Sequence, residues 1–299
     1  MNPIAIIGVI IALIIAYFSF SGSDFLGGGG GPIATGPGGS EVRNPQPVSR
    51  GGGFFFSPTP SPEPSVLPQP GVSPWRGKVR LSTVQRFSER TEEEYAIIRS
   101  SGGFFGFGGS SGQGEPVDIT GWSISSLKSS ATIPRAFNIP EIDAAEQDIF
   151  LAPGGELIIV TGTPTYQRNF RENQCVGYLS QSNIFTPSLY SYCPDSRPNR
   201  QEFLNRGFSG VCIDFIERIP TCRMPAVGFD QSGIGRDCAE YVSVNFNYVG
   251  CVKNSRDKKD FLSSTWRVSL KRGQKLFDSR HDRVTLRDKN GLTVDEFEY

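Results

Sequence analysis

The chain has 299 residues, 35 of them Gly and 22 Pro, and its 30 Lys+Arg match its 30 Asp+Glu. The Gly and Pro excess sits mostly in the first quarter, which leaves roughly 220 residues from Trp75 onward, enough for one well-buried domain. The balanced charge gives no reason to expect nucleic acid, an anionic membrane or an acidic partner as the main ligand.

Ile4 to Phe20, IAIIGVIIALIIAYFSF, carries no charge. As a helix it is near the short end of what spans a bilayer, and Tyr17 suits the interface. Met1, Asn2 and Pro3 supply none of the basic residues of a cleavable signal peptide, so residues 1–21 read as a retained transmembrane signal anchor. The first basic residue is Arg43, and the positive-inside rule therefore leaves the orientation open. Residues 22–75 form a Gly/Pro/Ser-rich linker, with a glycine run at 27–31 and SPTPSPEPSVLPQPGVSP at 57–74. Such stretches are disordered coils or extended spacers. The glycine run is no phosphate loop, because no G-K-[ST] follows it and no strand precedes it.

From Val79 the pattern becomes strand-like. Val79, Leu81 and Val84 open it, and Glu94 to Ile98 is a short apolar run. A glycine-rich loop, 102–114, then carries Phe104, Phe105 and Phe107. Val117 to Ile124 alternates as one strand, with Gly121 as a bulge or close approach beside Trp122. Ile133, Ala136 and Phe137 suggest another strand. Pro153-Gly154-Gly155 is a turn ahead of the β-branched run Glu156 to Val160. Trp266 to Leu270 and Arg283 to Asp288 alternate, and Asn290-Gly291 predicts a type I′ hairpin turn into Thr293 to Tyr299. Short strands with few helices predict a mainly β, antiparallel sandwich.

EEYAIIRSS (93–101), VDITGWSI (117–124), LAPGGELIIVTG (151–162) and FDSRHDRVTLRDKNGLTVDEFEY (277–299) follow one another in this order. That ordered set resembles the landmarks of the lamin tail domain, and the ending at Gly291, Val294, Asp295 and Tyr299 is that family's usual one. The resemblance covers residues 76–165 and 260–299 and implies an immunoglobulin-like sandwich over 76–299. Two features depart from the family: His281 stands where a glycine often precedes the aspartate, and residues 165–259 interrupt a connection that is usually short. There is no heptad rod or C-terminal prenylation box, so the chain resembles membrane-anchored bacterial proteins that carry this domain rather than a nuclear filament protein.

The insertion holds all six cysteines, Cys175, Cys193, Cys212, Cys222, Cys238 and Cys251. An even, clustered set downstream of an apolar N-terminus predicts disulfides in an oxidising compartment. A zinc site is disfavoured, because no C-x-x-C occurs and His281, the single histidine, lies beyond the cluster. Val211, Phe215, Ile216 and Ile219 fall at helical spacing, as do Cys238, Tyr241, Val242 and Phe246. Six cysteines allow fifteen pairings. If the two helices form an antiparallel hairpin, Cys212 meets Cys251, Cys222 meets Cys238, and Cys175 and Cys193 pair with each other.

No catalytic signature emerges. His281 is the only imidazole available as a general base, and no G-x-S-x-G elbow accompanies it. Asp118, Glu141, Asp143, Glu156, Asp214 and Glu217 show no spacing that distinguishes a working pair, and no calcium loop is present. Asp288 and Asp295 are expected to serve turns and strand ends. Lys253, Arg256, Lys258 and Lys259, with Arg267, Lys271, Arg272 and Lys275, form a locally basic stretch that reads as a solvated face. The expectation is a non-enzymatic binding or scaffolding module without cofactor or metal. It would be anchored by its first helix as a single-pass membrane protein with its C-terminal domain extracytoplasmic. Its partner would be a protein or a cell-envelope polymer, met by the insertion and by Phe104, Phe105 and Phe107. The alternatives are a surface hydrolase with its site between insertion and sandwich, and a cytoplasm-facing domain that associates with filaments or nucleic acid.

Overall fold

A computed structural model describes residues 71–102, 114–190, 192–195, 197, 199–225 and 233–299. The expected anchor at 1–21, linker residues 22–70 and the loop bearing Phe104, Phe105 and Phe107 lie outside the described residues. Among the described residues, no helix is long and apolar enough to cross a membrane.

The described residues are mainly β. One sheet has five strands in the order β1 (Val79–Gln85), β2 (Tyr95–Ser100), β7 (Glu156–Val160), β9 (Leu262–Ser269) and β8 (Phe170–Asn173). A second has four, in the order β11 (Thr293–Glu298), β10 (Arg283–Arg287), β4 (Ser123–Ser125) and β5 (Ser130–Thr132). A small ribbon pairs β3 (Val117–Asp118) with β6 (Phe150–Leu151). Side chains alternate across a strand, so residues two apart share a face. Ala96 and Ile98, Leu157 and Ile159, and Trp266 and Val268 therefore point inward from the first sheet. They meet Ile124, Val284, Leu286 and Val294 of the second sheet in one buried cluster, the packing of a sandwich.

The two sheets are also tied through carboxylates that accept backbone N–H bonds. Asp295 on β11 accepts from Leu81 N on β1 at 2.7 Å. Asp288 accepts from Asn290 N and Leu292 N within its turn and from Ser73 Oγ at 2.6 Å. Both aspartates thus serve the turn and strand-end roles expected of them. The Ser73 contact extends the folded unit upstream of residue 76: Val72 bridges Thr293 and Trp75 packs on the core. Fully buried Asp282 accepts from Leu127 N, Arg283 N and Asp278 N. Buried Glu94 accepts from Leu276 N at 2.6 Å.

Several sequence expectations need correction. The first sheet is mixed rather than wholly antiparallel, because β7 and β9 run parallel from Glu156↔Thr265 to Val160↔Ser269. Parallel neighbours require a long crossover, and the chain between Val160 and Leu262 supplies it. Val117 to Ile124 is two strands, parted by a turn in which Gly121 takes φ +77°. Ala136 and Phe137 make single bridges, to Gln147 and Phe170, rather than a strand. The hairpin at 288–292 is not type I′: Gly291 has φ +77°, but Asn290 is not among the residues with positive φ. Gly291 N donates to Asp288 O and Asp288 N to Leu292 O, a type I turn closed by a glycine bulge.

The insertion is built into the sandwich as well as attached to it, since β8 forms the edge of the first sheet. Beyond β8 come α1 (Arg200–Asn205), α2 (Gly210–Glu217), α3 (Arg236–Asn245) and α4 (Tyr248–Ser255). Asn199, Ser209 and Asn247 cap α1, α2 and α4 by accepting from backbone N–H groups. Two small cores result. One gathers Phe203, Ile213, Ile216, Val242 and Phe246; the other gathers Val176, Tyr178, Leu179, Val252 and Phe261 around Phe170 of β8.

The disulfides join Cys175 to Cys251, Cys193 to Cys222 and Cys212 to Cys238. None of the three pairs follows the hairpin scheme, which put Cys212 with Cys251, Cys222 with Cys238 and Cys175 with Cys193. Cys212 and Cys238 each lie in the first turn of their helix, so the starts of α2 and α3 meet, where an antiparallel hairpin would set a start against an end. Cys251 belongs to the separate helix α4, whose buried residues join the other core. Close packing holds the central bridge: a Cβ on Gly177 would stand 2.4 Å from Cys222 Sγ.

Two measurements check this architecture. Peptide mapping of the unreduced protein should recover these three pairs. Their separations of 76, 29 and 26 residues rank the cost of removing them. Loop closure gives about 4.5 kcal/mol for Cys175–Cys251 and about 3.5 kcal/mol for each of the others, an order that denaturant unfolding of paired Cys→Ser variants should reproduce.

The second measurement concerns acid. Lys128 beside Asp278, with Arg280 N, holds that carboxyl at about 2, below its ordinary 3.8. A depressed carboxylate stabilises the fold fully above its unfolded value and loses that contribution as pH falls. The stability difference between the natural chain and Asp278→Asn should therefore be greatest well above pH 3.8, shrink as pH falls from 3.8 to about 2, and level off below that. A difference unchanged across that window would show the pair to be idle.

Candidate functional site

The outer face of the five-stranded sheet is covered in part by the insertion. Ile158 points outward from β7, where a one-sided sheet would expose it, yet it is only 3% exposed. Ile97 pairs with Ile158, and Ile158 with Arg267, in one row across β2, β7 and β9. Arg99, Glu156 and Thr265 form the adjacent row. Above these rows lies a groove of about 660 Å³, floored by Ile97, Glu156, Ile158, Ser263 and Thr265 and walled by Pro187, Ser188, Tyr190, Tyr192 and Pro194. That volume is within the range of ligand sites.

One ion pair positions the wall. Arg267 is 7% exposed, and its Nε donates to Glu172 of β8. Its other two nitrogens donate to Pro187 O and, at 3.1 Å, to Ser188 O. A planar guanidinium presents its donors in a fixed fork, so Arg267 joins sheet, carboxylate and loop at once. Further along the same loop, Cys193–Cys222 fixes the segment to the insertion's second core. Between these anchors Tyr190 and Tyr192 stand at the rim, 76% and 73% exposed, with ring centroids 6.3 Å apart and planes tilted by 37°.

The sequence candidates are scattered. Asp118 pairs with Lys289, Asp214 and Glu217 share Arg200, and Glu141 meets Arg168 and Tyr166. Asp143 accepts from Ile139 N. Only Glu156 reaches the groove, where it pairs with Arg99 at 3.0 Å. His281 is exposed beside the C-terminal hairpin, and neighbouring Asp282 spends both oxygens on backbone N–H groups. The basic stretch does not form one face. Arg267 is buried in its ion pair, Lys275 donates to Arg86 O, and Lys271 and Arg272 line a separate cavity of about 460 Å³. All six cysteines are bridged, and among the described residues no His, Cys, Asp and Glu cluster is arranged to hold a metal. Phe104, Phe105 and Phe107 fall outside the described residues.

Sequence reasoning missed Glu172, Asp260 and the two tyrosines. The signal for the tyrosines was present: Leu189-Tyr190-Ser191-Tyr192-Cys193-Pro194 sets two aromatic rings in a polar, proline-flanked loop beside a cysteine. Glu172 gave no signal, since its partner Arg267 is 95 residues away. The chain matches no protein-family model and no curated protein.

Removing one member of a buried ion pair leaves the other charge unpaired, which costs roughly 3 to 5 kcal/mol. Glu172→Gln should lower stability in denaturant by about that amount. Limited proteolysis should then cut within 182–199 sooner than in the unaltered protein. Equal stability and equal cleavage would mean that the pair does not hold the wall.

Proposed function

We propose that this chain is a membrane-tethered, extracytoplasmic binding or scaffolding module, in which an immunoglobulin-like sandwich of lamin-tail type presents a groove to a protein or cell-envelope polymer. The observation that carries the reading is the groove, whose floor belongs to the sandwich and whose wall belongs to the insertion, with two tyrosines left exposed at its rim. Exposed aromatic residues beside a concave surface are what binding surfaces hold in excess. Three disulfides support an oxidising compartment. The uncharged run Ile4 to Phe20 and the Gly/Pro linker support a tether.

Two groove carboxylates are engaged by guanidinium groups, Glu172 by Arg267 and Glu156 by Arg99. Groups committed in this way serve architecture and recognition better than proton transfer, which favours binding over the hydrolase reading. A photo-crosslinking residue in place of Tyr192, in the full chain in its native envelope, should capture a partner. The same residue in place of Leu127, 70% exposed on the second sheet's β4–β5 turn, should capture none. Equal capture at both positions, or capture at neither, overturns the groove as the binding site.

A further inference from the structure

We infer that the groove receives a neutral, linear glycan, stacked on Tyr190 and Tyr192 and hydrogen-bonded by Glu156, Asp260 and Thr265. The inference rests on the reading of the groove as the binding site and adds the chemistry of its occupant.

The floor is the face of a sheet and not its edge. β7 lies between β2 and β9 and is paired on both sides. An extended peptide therefore cannot join β7 as an added strand. Ile97 and Ile158 give the floor an apolar base, with Ile158 only 3% exposed.

The rim supplies what the floor lacks. Two phenol faces, each about three-quarters exposed and 6.3 Å apart, offer flat apolar surfaces in a groove that also holds Ser188, Thr265 and Asp260. A pyranose ring has the complementary surface, a patch of C–H groups on one face with hydroxyls around the edge. Stacking the two removes apolar area from water on both partners and leaves the sugar hydroxyls free to bond. The hydroxyls then meet oxygen acceptors. Glu156 and Asp260 line the same groove as Thr265, and carboxylates accept hydroxyl bonds with charge assistance.

Charge narrows the class. Arg267 is paired with Glu172 and Glu156 with Arg99, which leaves Asp260 as the groove's one carboxylate outside an ion pair among the described residues. A groove so nearly balanced offers nucleic acids, phosphate polymers and uronic acid chains no unpaired guanidinium to hold them. A neutral sugar chain needs no such partner. A basic peptide would be attracted by Asp260, and the experiment separates the two.

The full chain in detergent is titrated calorimetrically with cellohexaose, chitohexaose and mannohexaose, with hexalysine as the cationic probe and polyphosphate as the anionic one. At least one hexasaccharide should bind, with little change at about 0.5 M salt, where exposed charge contacts are screened. Tyr190→Ala/Tyr192→Ala should weaken that binding at least about tenfold without moving the thermal unfolding midpoint, since both rings are exposed. Polyphosphate should not bind. Binding of no hexasaccharide, or saccharide binding indifferent to the tyrosines, overturns the glycan. Tyrosine-dependent, salt-sensitive binding of hexalysine alone overturns it in favour of a basic peptide and leaves the groove standing. If crosslinking from position 192 in the envelope also fails, the groove falls as well.

Discussion

β7 and β9 run side by side in the same direction, and that pairing obliges the chain to travel from one end of the sheet back to the other before β9 can begin. A plain crossover would discharge the obligation along the surface. Among the described residues, the return journey carries a strand, four α-helices and three disulfides, and it passes over the outer face of the sheet it has to rejoin. The burial of Ile158, the Arg267–Glu172 pair and the groove all follow from that passage. Each needs one partner from the sandwich and one from the crossover.

The crossover cannot stand by hydrophobic burial alone. Its two cores are small, and small cores fall short of offsetting chain entropy without covalent help. Cys175–Cys251 clamps the end of β8 to α4, close to where β9 starts, so the segment leaves and re-enters the sandwich through one stapled point. The inner bridges then hold α2 to α3 and the tyrosine loop to the second core. The sandwich uses different means. Its ends are fastened by Glu94, Asp282, Asp288 and Asp295, buried or partly buried carboxylates that accept backbone N–H bonds from neighbouring segments, bonds strengthened by charge.

The candidate site was only partly legible beforehand. Glu156 was visible as a carboxylate opening a β-branched run, and the pleat places it on the face opposite Leu157. Arg267 was visible as a cation and misread as surface, because nothing local marks a guanidinium that meets its carboxylate across 95 residues. The helix α4 was missed although Tyr248, Cys251, Val252 and Ser255 recur at helical spacing and are buried together. Recognising it would have removed Cys251 from the hairpin scheme. The pairing of Cys212 with Cys238 was out of reach, since the packing angle of two helices depends on what both of them cover.

Local chemistry was readable from the chain itself. Alternation set which side chains enter the sandwich core, glycine at 291 set where the last hairpin turns, and aspartates at 288 and 295 set how its ends are tied. The clustering of six cysteines was enough to expect three bridges. Tertiary structure decided the rest: the parallel crossing of β7 and β9, the partners of each cysteine, the burial of Arg267 and the groove beneath Tyr190 and Tyr192. The physical reason is range. Strand pattern, turns and caps are settled by forces acting over a few residues, whereas which face of a sheet a long connection covers is settled only when distant segments compete to bury the same surface.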